Sequence, residues 1–343
     1  MSETAANEEG GDGHHRRTYV LTFDLPQKVK LFESVGLKVP DPQDEFFPRV
    51  RAKLVEMVQA AFPDAEIRNI SMDDLANEIW SQAKAEIDLA KNSVVVSTCY
   101  EISNLKQDLP MKINRIYDQS GNFLGLGPRP GSLDLADQVE AIYHSSSGRA
   151  VILVEDGTFT GGTMVKVLKL LQERRMEIAA IIVGFLFPAG ERELRKEFSG
   201  KIINIEHISK IIDWMPDHDF FPFIPNCGRV LGVSWNGNIT PLYTREGMSI
   251  SVPYLVPFCP PEMWALWTGI DQGQAIRFST YFLDRTLELF DKMMKLNGRP
   301  IKIKDLQGVN PWSSIPVALG DQQFPNPDQR IVDYLIGYRQ ELD

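Results

Sequence analysis

Cysteine is scarce in this sequence, and each one stands alone. Cys99, Cys227 and Cys259 are odd in number and never fall in C-x-x-C spacing. That excludes a disulfide framework and a thiolate zinc site, and it suits a reducing compartment. No apolar run approaches the roughly 20 residues of a membrane span, so no membrane partner is expected. A basic region followed by an apolar one is missing near the N-terminus, so no secretory signal is read and a cytoplasmic protein is expected. Positive charge is in deficit: 36 Lys and Arg against 46 Asp and Glu leave a formal net charge of −10, which argues against a nonspecific grip on nucleic acid. Two phosphate-binding signatures are absent as well. No Lys follows Gly162, as a Walker loop would need, and the glycines at 157–162 lack G-x-G-x-x-G spacing.

What is present is a chain of 343 residues, 43% hydrophobic and 24% charged, enough for one large or two ordinary soluble domains. Residues 1–17 hold almost nothing apolar and read as a disordered tail. Thr18–Phe23 reads as a strand and Phe46–Phe62 as an amphipathic helix. Ser71, with Asp74 three residues on, starts a helix that runs to about Ala90. Together these make an N-terminal accessory segment, 18–92. From residue 93 short apolar runs alternate with helical patterns. Ser93–Thr98, Val151–Val154, Ile178–Phe187 and Lys201–Ile205 read as strands. Ser132–Tyr143, 161–175 and Glu191–Phe198 read as helices, the first with Leu133, Leu135, Val139 and Ile142 inward. The alternation predicts an α/β fold over 93–212: a parallel sheet with helices on both faces and Val151–Val154 central. In such sheets the ligand lies beyond the carboxyl ends of the strands. Met111–Tyr117 and Asn122–Leu126 flank a polar turn at 118–121 and predict a hairpin.

The stretch that organises the chain is 150–163. An apolar strand ends in Glu155 and Asp156, and then comes Gly157-Thr158-Phe159-Thr160-Gly161-Gly162-Thr163, followed by a helical pattern. Backbone N–H groups, a helix N-terminus and threonine hydroxyls make an anion cradle there, with the carboxylates at its rim. Order and spacing resemble the phosphoribosyl pyrophosphate (PRPP) signature of type I phosphoribosyltransferases, an apolar strand and two acids before x-x-x-T-G-x-T.

The resemblance implies that Glu155 and Asp156 are the catalytic pair on the ribose hydroxyls. It implies Mg²⁺ as cofactor with Asp156 as a ligand, and Thr158, Phe159, Thr160, Gly161, Gly162 and Thr163 around the 5′-phosphate. The family holds pyrophosphate on the loop after its first core strand. Here that loop is Thr98-Cys99-Tyr100-Glu101, which lacks the family's glycines, and Cys99 reads as a buried thiol. Lys106, Lys112 and Arg115 are candidate pyrophosphate contacts. Arg129 joins them from the stiff turn Gly127-Pro128-Arg129-Pro130-Gly131, which suits either a phosphate clamp or a solvated surface turn. In the family, a hairpin in the position of 111–126 is a mobile loop that closes over the site.

Residues 213–343 read as a C-terminal α+β hood or extension, expected to pack over the carboxyl edge of the sheet. In family members that salvage purines, an aromatic stacks on the base and an acid reads its edge. Trp214, Asp217 and Phe220, with Phe221, fit those roles, and they equally suit a hydrophobic seam between domains. His218 between two Asp also suits a metal. Arg229–Val233, Ile239–Tyr243 and Ser249–Val256 look strand-like. A helix from Phe278 to about Leu296 carries an apolar stripe that fits core or a homodimer interface. Phe159 breaks the pattern of many purine-salvage members, which place an Asp there to exchange a proton with the base. The expected function is Mg²⁺-dependent transfer of a 5-phosphoribosyl group from PRPP to a nitrogen nucleophile on a nucleobase-like molecule. A PRPP- or nucleotide-sensing regulatory protein and a nucleotide N-glycosidase are the alternatives.

Overall fold

The computed structural model describes residues 16–99, 102, 108–243, 247, 249–309, 315–316 and 326–343. Tail residues 1–15, Tyr100, Glu101 and the candidate Lys106 lie outside the described residues. The chain opens with β1 (Thr18–Phe23), α1 (Leu25–Lys30), α2 (Phe46–Ala61), β2 (Glu66–Ser71) and α3 (Met72–Ala90). Next come β3 (Ser93–Ser97), β4 (Asp108–Pro110), the hairpin β5 (Ile113–Tyr117) and β6 (Phe123–Pro128), and α4 (Leu135–Ser146). Then β7 (Ala150–Thr158), α5 (Gly162–Glu173), β8 (Ile178–Leu186), α6 (Pro188–Glu197) and β9 (Lys201–His207) alternate. The remainder is β10 (Ile211–Pro216), β11 (Arg229–Trp235), β12 (Asn238–Pro241), β13 (Ile250–Val252), α7 (Pro261–Thr268), α8 (Ala275–Asn297), β14 (Ile315–Pro316) and α9 (Ile331–Gln340).

Strands β4-β3-β7-β8-β9 form a five-stranded, all-parallel sheet with β7 in the middle, as the alternating pattern predicts. Val151 and Leu153 pack with Val139 and Ile142 of α4 and Val167 and Leu168 of α5. Ile152 and Val154 face the other way, onto Met72, Leu75 and Ile79 of α3. A strand covered on both faces needs an apolar residue at every position, which is why 151–154 reads as an unbroken run. The second covering helix comes from the N-terminal segment. Ser71 caps it, its side chain accepting from the Asp74 N–H at 3.4 Å, and Asp73 and Asp74 sit in the first turn.

The helix before β7 starts later than its apolar pattern suggests. Asp134 caps it, accepting from the Asp137 N–H at 2.8 Å, so Leu133 precedes the helix and is 62% exposed instead of inward. A strong cap overrides periodicity at a helix end.

Beside the central sheet, β10-β1-β2 make a parallel three-stranded sheet. A third sheet runs β14-β13-β11-β5-β6, with β12 off β11. The hairpin forms as expected, but it is not a free flap. Its Ile116 pairs with Val230 of β11, so it is an integral part of a sheet shared with the C-terminal region. β12 and β13 are shorter than the runs that suggested them. Pro241 ends one, and Pro253, which cannot donate to a ladder, follows the other. The stripe of α8 is core: Leu283 and Phe290 are fully buried, in one cluster with Phe46 and Val50 of α2 and Ile331 of α9. Among the described residues, no helix is long and apolar enough to cross a membrane.

Candidate active site at the carboxyl end of the central strand

β7 outlasts its neighbour. The ladder to β3 ends at Ser97↔Val154, while the ladder to β8 continues through Glu155↔Val183, Gly157↔Phe185 and Thr158↔Leu186. Glu155 and Asp156 therefore stand on the strand itself, at the edge that β3 vacates. Thr98 N–H still reaches the Val154 carbonyl at 3.1 Å, so the chain leaving β3 departs beside the acids. The two carboxyls interact directly. Burial, then the neighbouring Asp156 charge, pushes Glu155 well above the usual carboxylate range. Burial also raises Asp156, with Arg129 opposing. Two like charges this close hold a proton between them until a cation or a hydroxyl donor arrives. Among the described residues Glu155 Oε2 is buried without a hydrogen-bond partner, an unsatisfied acceptor.

The turn after the acids has separable roles for its two glycines. Gly161 has φ +78° and is the N-cap of α5. A Cβ there would meet the Gly190 carbonyl at 2.9 Å. Gly162 has nothing nearer than Thr160 Oγ1 at 3.8 Å, so the space over it is open. No side chain caps α5 and no acid lies in its first turn, which leaves its leading N–H groups for an anion. Gly161→Ala is expected to lower stability by about 1–3 kcal/mol, from strain at a position only glycine accepts. Gly162→Ala is expected to leave stability within about 0.5 kcal/mol. Urea unfolding of both variants checks the contrast, and equal effects would contradict the assignment.

The remaining residues of the turn divide. Thr158 is buried, with an Oγ1 that has no partner. Phe159 turns away from the loop, its ring 5.4 Å from that of Phe187 in a cluster with Phe185 and Trp214. Thr160 Oγ1 lies 3.5 Å from the Arg115 guanidinium. Thr163 is the second residue of α5 and half-buried.

Of the cations read from the sequence, the structure brings two to the acids and leaves one out. Arg129 donates through Nε to the Ile113 carbonyl at 2.8 Å and through Nη2 to the Thr98 carbonyl at 3.0 Å. These bonds fix a guanidinium beside Asp156, and both Arg129 and Arg115 line the same cavity. Lys112 is exposed and does not line it.

That cavity measures about 220 Å³ and opens beside Asp156. More of its lining comes from elsewhere in the chain: Asp24 after β1, Trp214 of β10, and His218, Asp219, Asn226 and Arg229 beyond it. Trp214 fits because residue 157 is glycine, where a Cβ would meet the indole Cζ3 at 2.8 Å. Of the hood candidates, only Trp214 lines the cavity. Asp217 caps α1, its Oδ1 accepting from the Asp24 N–H at 2.9 Å and the Leu25 N–H at 3.0 Å. Phe220 is fully buried, stacked on Phe282 at 4.8 Å in the large core.

Asp24, Asp217 and His218 bring ligand-type atoms within 4.8 Å of one another. These atoms are already committed. His218 Nδ1 is 2.7 Å from Asp24 Oδ1, and the Lys28 ammonium is 3.7 Å from Asp24 Oδ2, where a cation would sit. Burial works against the Asp24 carboxylate, yet the charges of His218 and Lys28 hold it down at about 2. Burial opposes the His218 imidazolium, but the charges of Asp24 and Asp219 and the hydrogen bond to Asp24 together outweigh it, so its pKa rises. Within this cluster Asp24, His218 and Lys28 form an ion-pair network.

Asp24, Asp219, Asn226 and Arg229 were missed in the sequence. Asp24 carried a usable signal, because it follows directly on a strand at its carboxyl end. Asp219, in the 3₁₀ turn Asp217–Phe220, was marked only as one of the two acids beside His218, while Asn226 in irregular chain and Arg229 at the start of β11 had no pattern to mark them.

Comparison with known proteins bears on this site. Residues 130–218 match the family model for the phosphoribosyl transferase domain. That span holds Arg129's neighbour Pro130, the acidic pair, the whole Gly/Thr turn and Trp214. Among solved structures, an adenine phosphoribosyltransferase from Thermoanaerobacter pseudethanolicus is similar at 15% identity, over 38% of this chain and 80% of that one, with a TM-score of 0.25. No curated protein matches.

Proposed function

We propose that the protein, whose residues 130–218 match the phosphoribosyl transferase domain, transfers a 5-phosphoribosyl group from PRPP to a ring nitrogen of a nucleobase-like acceptor, with Mg²⁺ as cofactor. The observation that carries this reading is that Asp156, Arg115 and Arg129 line one cavity. Glu155 adjoins Asp156 on β7, and Arg115 reaches Thr160 in the turn before the uncapped N-terminus of α5. Breaking the C1′–O bond builds positive charge on the ribose and negative charge on the departing pyrophosphate. Glu155 and Asp156 supply the anions for the first. Arg129 and Arg115 supply cations for the second and for the 5′-phosphate.

The carboxyl pair also fits a hard cation. Among the described residues Glu155 Oε2 is an orphaned acceptor, and the pair's negative charge raises the Glu155 pKa in spite of Arg129 and Arg115. Asp156 would hold Mg²⁺, which when bound neutralises pyrophosphate charge. Buried free cysteines suit a reducing, cytoplasmic setting for this activity.

Calorimetry with PRPP and Mg²⁺ tests the reading. Binding is expected, together with net proton release at pH 7, seen as a heat that varies with the ionisation enthalpy of the buffer. The raised pair gives up its proton to the buffer when ribose hydroxyls and Mg²⁺ bind the carboxylates, which gives the sign. Pyrophosphate release with nucleobases then separates a transferase from a sensor, which would bind PRPP and release none. A well-folded protein that binds no PRPP would overturn both.

A further inference from the structure

The loop position where many relatives by pattern hold a proton-exchanging acid is Phe159 here, and its ring is packed among Phe185, Phe187 and Trp214. A carboxylate does face the cavity, from a different segment. Asp219 is 8% exposed and lines the cavity that Asp156 also lines. Its Oδ1 is fixed from two sides, accepting from the Gly228 N–H at 2.9 Å and lying 3.5 Å from His218 Nε2. His218 is in turn held through Nδ1 by Asp24 at 2.7 Å. Oδ2 makes no hydrogen bond among the described residues. Asn226 lines the same cavity, and among the described residues both its Oδ1 and its Nδ2 are buried without a partner, at a backbone φ of +69°. A carboxylate oxygen and a carboxamide with open valences lining one cavity match a planar heterocycle that offers a ring N–H and a donor–acceptor edge.

We propose that Asp219 is the catalytic proton acceptor for the incoming nucleophile, positioned by His218 and Asp24, with Asn226 on the edge of the same heterocycle. In the step, the acceptor nitrogen bonds to ribose C1′ while the C1′–O bond breaks and pyrophosphate leaves with the electron pair. The N–H proton passes to Asp219 Oδ2, and the neutral carboxylic acid later returns it to water. The inference deepens the phosphoribosyl-transfer reading and rests on it.

The surroundings suit a base that works near neutrality. Burial pushes Asp219 up to about 6, with the His218 charge and the Gly228 N–H restraining it, Asp24 adding to the rise, and Arg229 opposing. Lys28 on α1, Asp24 after β1 and Asp217 also face His218. A base of this strength is ionised at pH 7 and still takes up a proton readily.

The test measures PRPP binding by calorimetry and pyrophosphate release across adenine, guanine, hypoxanthine, uracil, orotate and nicotinate from pH 5 to pH 9. It uses wild type, Asp219→Asn and His218→Gln. Wild type is expected to turn over with at least one of these, with an acid limb near pH 6. Asp219→Asn keeps the acceptor for the Gly228 N–H, so it should bind PRPP within about threefold of wild type while losing about a hundredfold in kcat. His218→Gln removes a positive charge that lowers the Asp219 pKa, so its acid limb should move to higher pH. Turnover by PRPP-bound Asp219→Asn within threefold of wild type would overturn the inference. So would an unmoved limb in His218→Gln, which serves if Asp219→Asn does not fold. Wild-type protein that binds PRPP and turns over none of these acceptors also overturns it and leaves PRPP binding standing. A wild type that binds no PRPP brings down the underlying reading first.

Discussion

Asp156→Asn is expected to cut pyrophosphate release between about 10²- and 10³-fold, on the order of 3–4 kcal/mol of barrier, with a smaller loss of PRPP affinity. The substitution keeps the shape of the side chain and removes the charge that faces the ribose as C1′ becomes cationic. A second, opposite effect is expected in the free protein. Both acids titrate above the ordinary range when folded, so the native state binds more protons than the unfolded chain at intermediate pH. Stability of wild type therefore falls as pH rises through those raised values. With Asn at 156, Glu155 loses its neighbouring charge and that fall shrinks. Thermal midpoints from pH 5 to pH 9 should slope downward for wild type and lie flatter for the variant. A variant that is less active and no more stable at high pH would show that 156 acts through packing and not through charge. Such a trade of stability for activity is what a site with two buried carboxyls would show.

Phe282→Ala is expected to lower stability by about 3–5 kcal/mol, a large share of the roughly 5–15 kcal/mol typical of a folded domain. Phe282 is fully buried on α8, stacked on Phe220 at 4.8 Å and edge-on to Phe221 at 5.5 Å. Those two rings directly follow Asp219, and the Phe221 N–H bonds the His218 carbonyl at 3.0 Å. The core that α8 builds thus anchors the segment that forms part of the cavity lining. Deleting the ring leaves a void that packed neighbours fill only in part. Urea unfolding with an unchanged m-value and a shifted midpoint checks the magnitude. A loss under about 1 kcal/mol would mean that the core collapses around the void. The void also loosens the anchor of Asp219. The same variant should therefore weaken turnover more than PRPP binding, because the acids and the phosphate turn belong to the other core.

The sequence determined the elements whose physics is local or pairwise along the chain. Val151–Val154 reads as an interior strand because both its faces are covered and every position must be apolar. The α3 start at Ser71 and the acid pair before Thr158–Thr163 are legible because capping and turn chemistry act within a few residues. The fold class followed from the alternation of such runs. Tertiary structure decided whatever depends on contacts between distant segments. It joined the 113–128 hairpin to β11 through Ile116 and Val230, where the sequence suggested a flap. Asp217 and Phe220 could not be told apart from Trp214 in an aromatic and acidic stretch. Only the fold gave Asp217 the amides of Asp24 and Leu25, Phe220 the ring of Phe282, and Trp214 the space over Gly157. It also placed Asp24 against His218, nearly two hundred residues away in sequence (|i−j| 194), and set Asp219 and Asn226 in the lining of the same cavity as Asp156. Burial and charge pairing between remote segments leave no periodic trace in a sequence, because the partners that make them favourable are chosen only when the sheets pack.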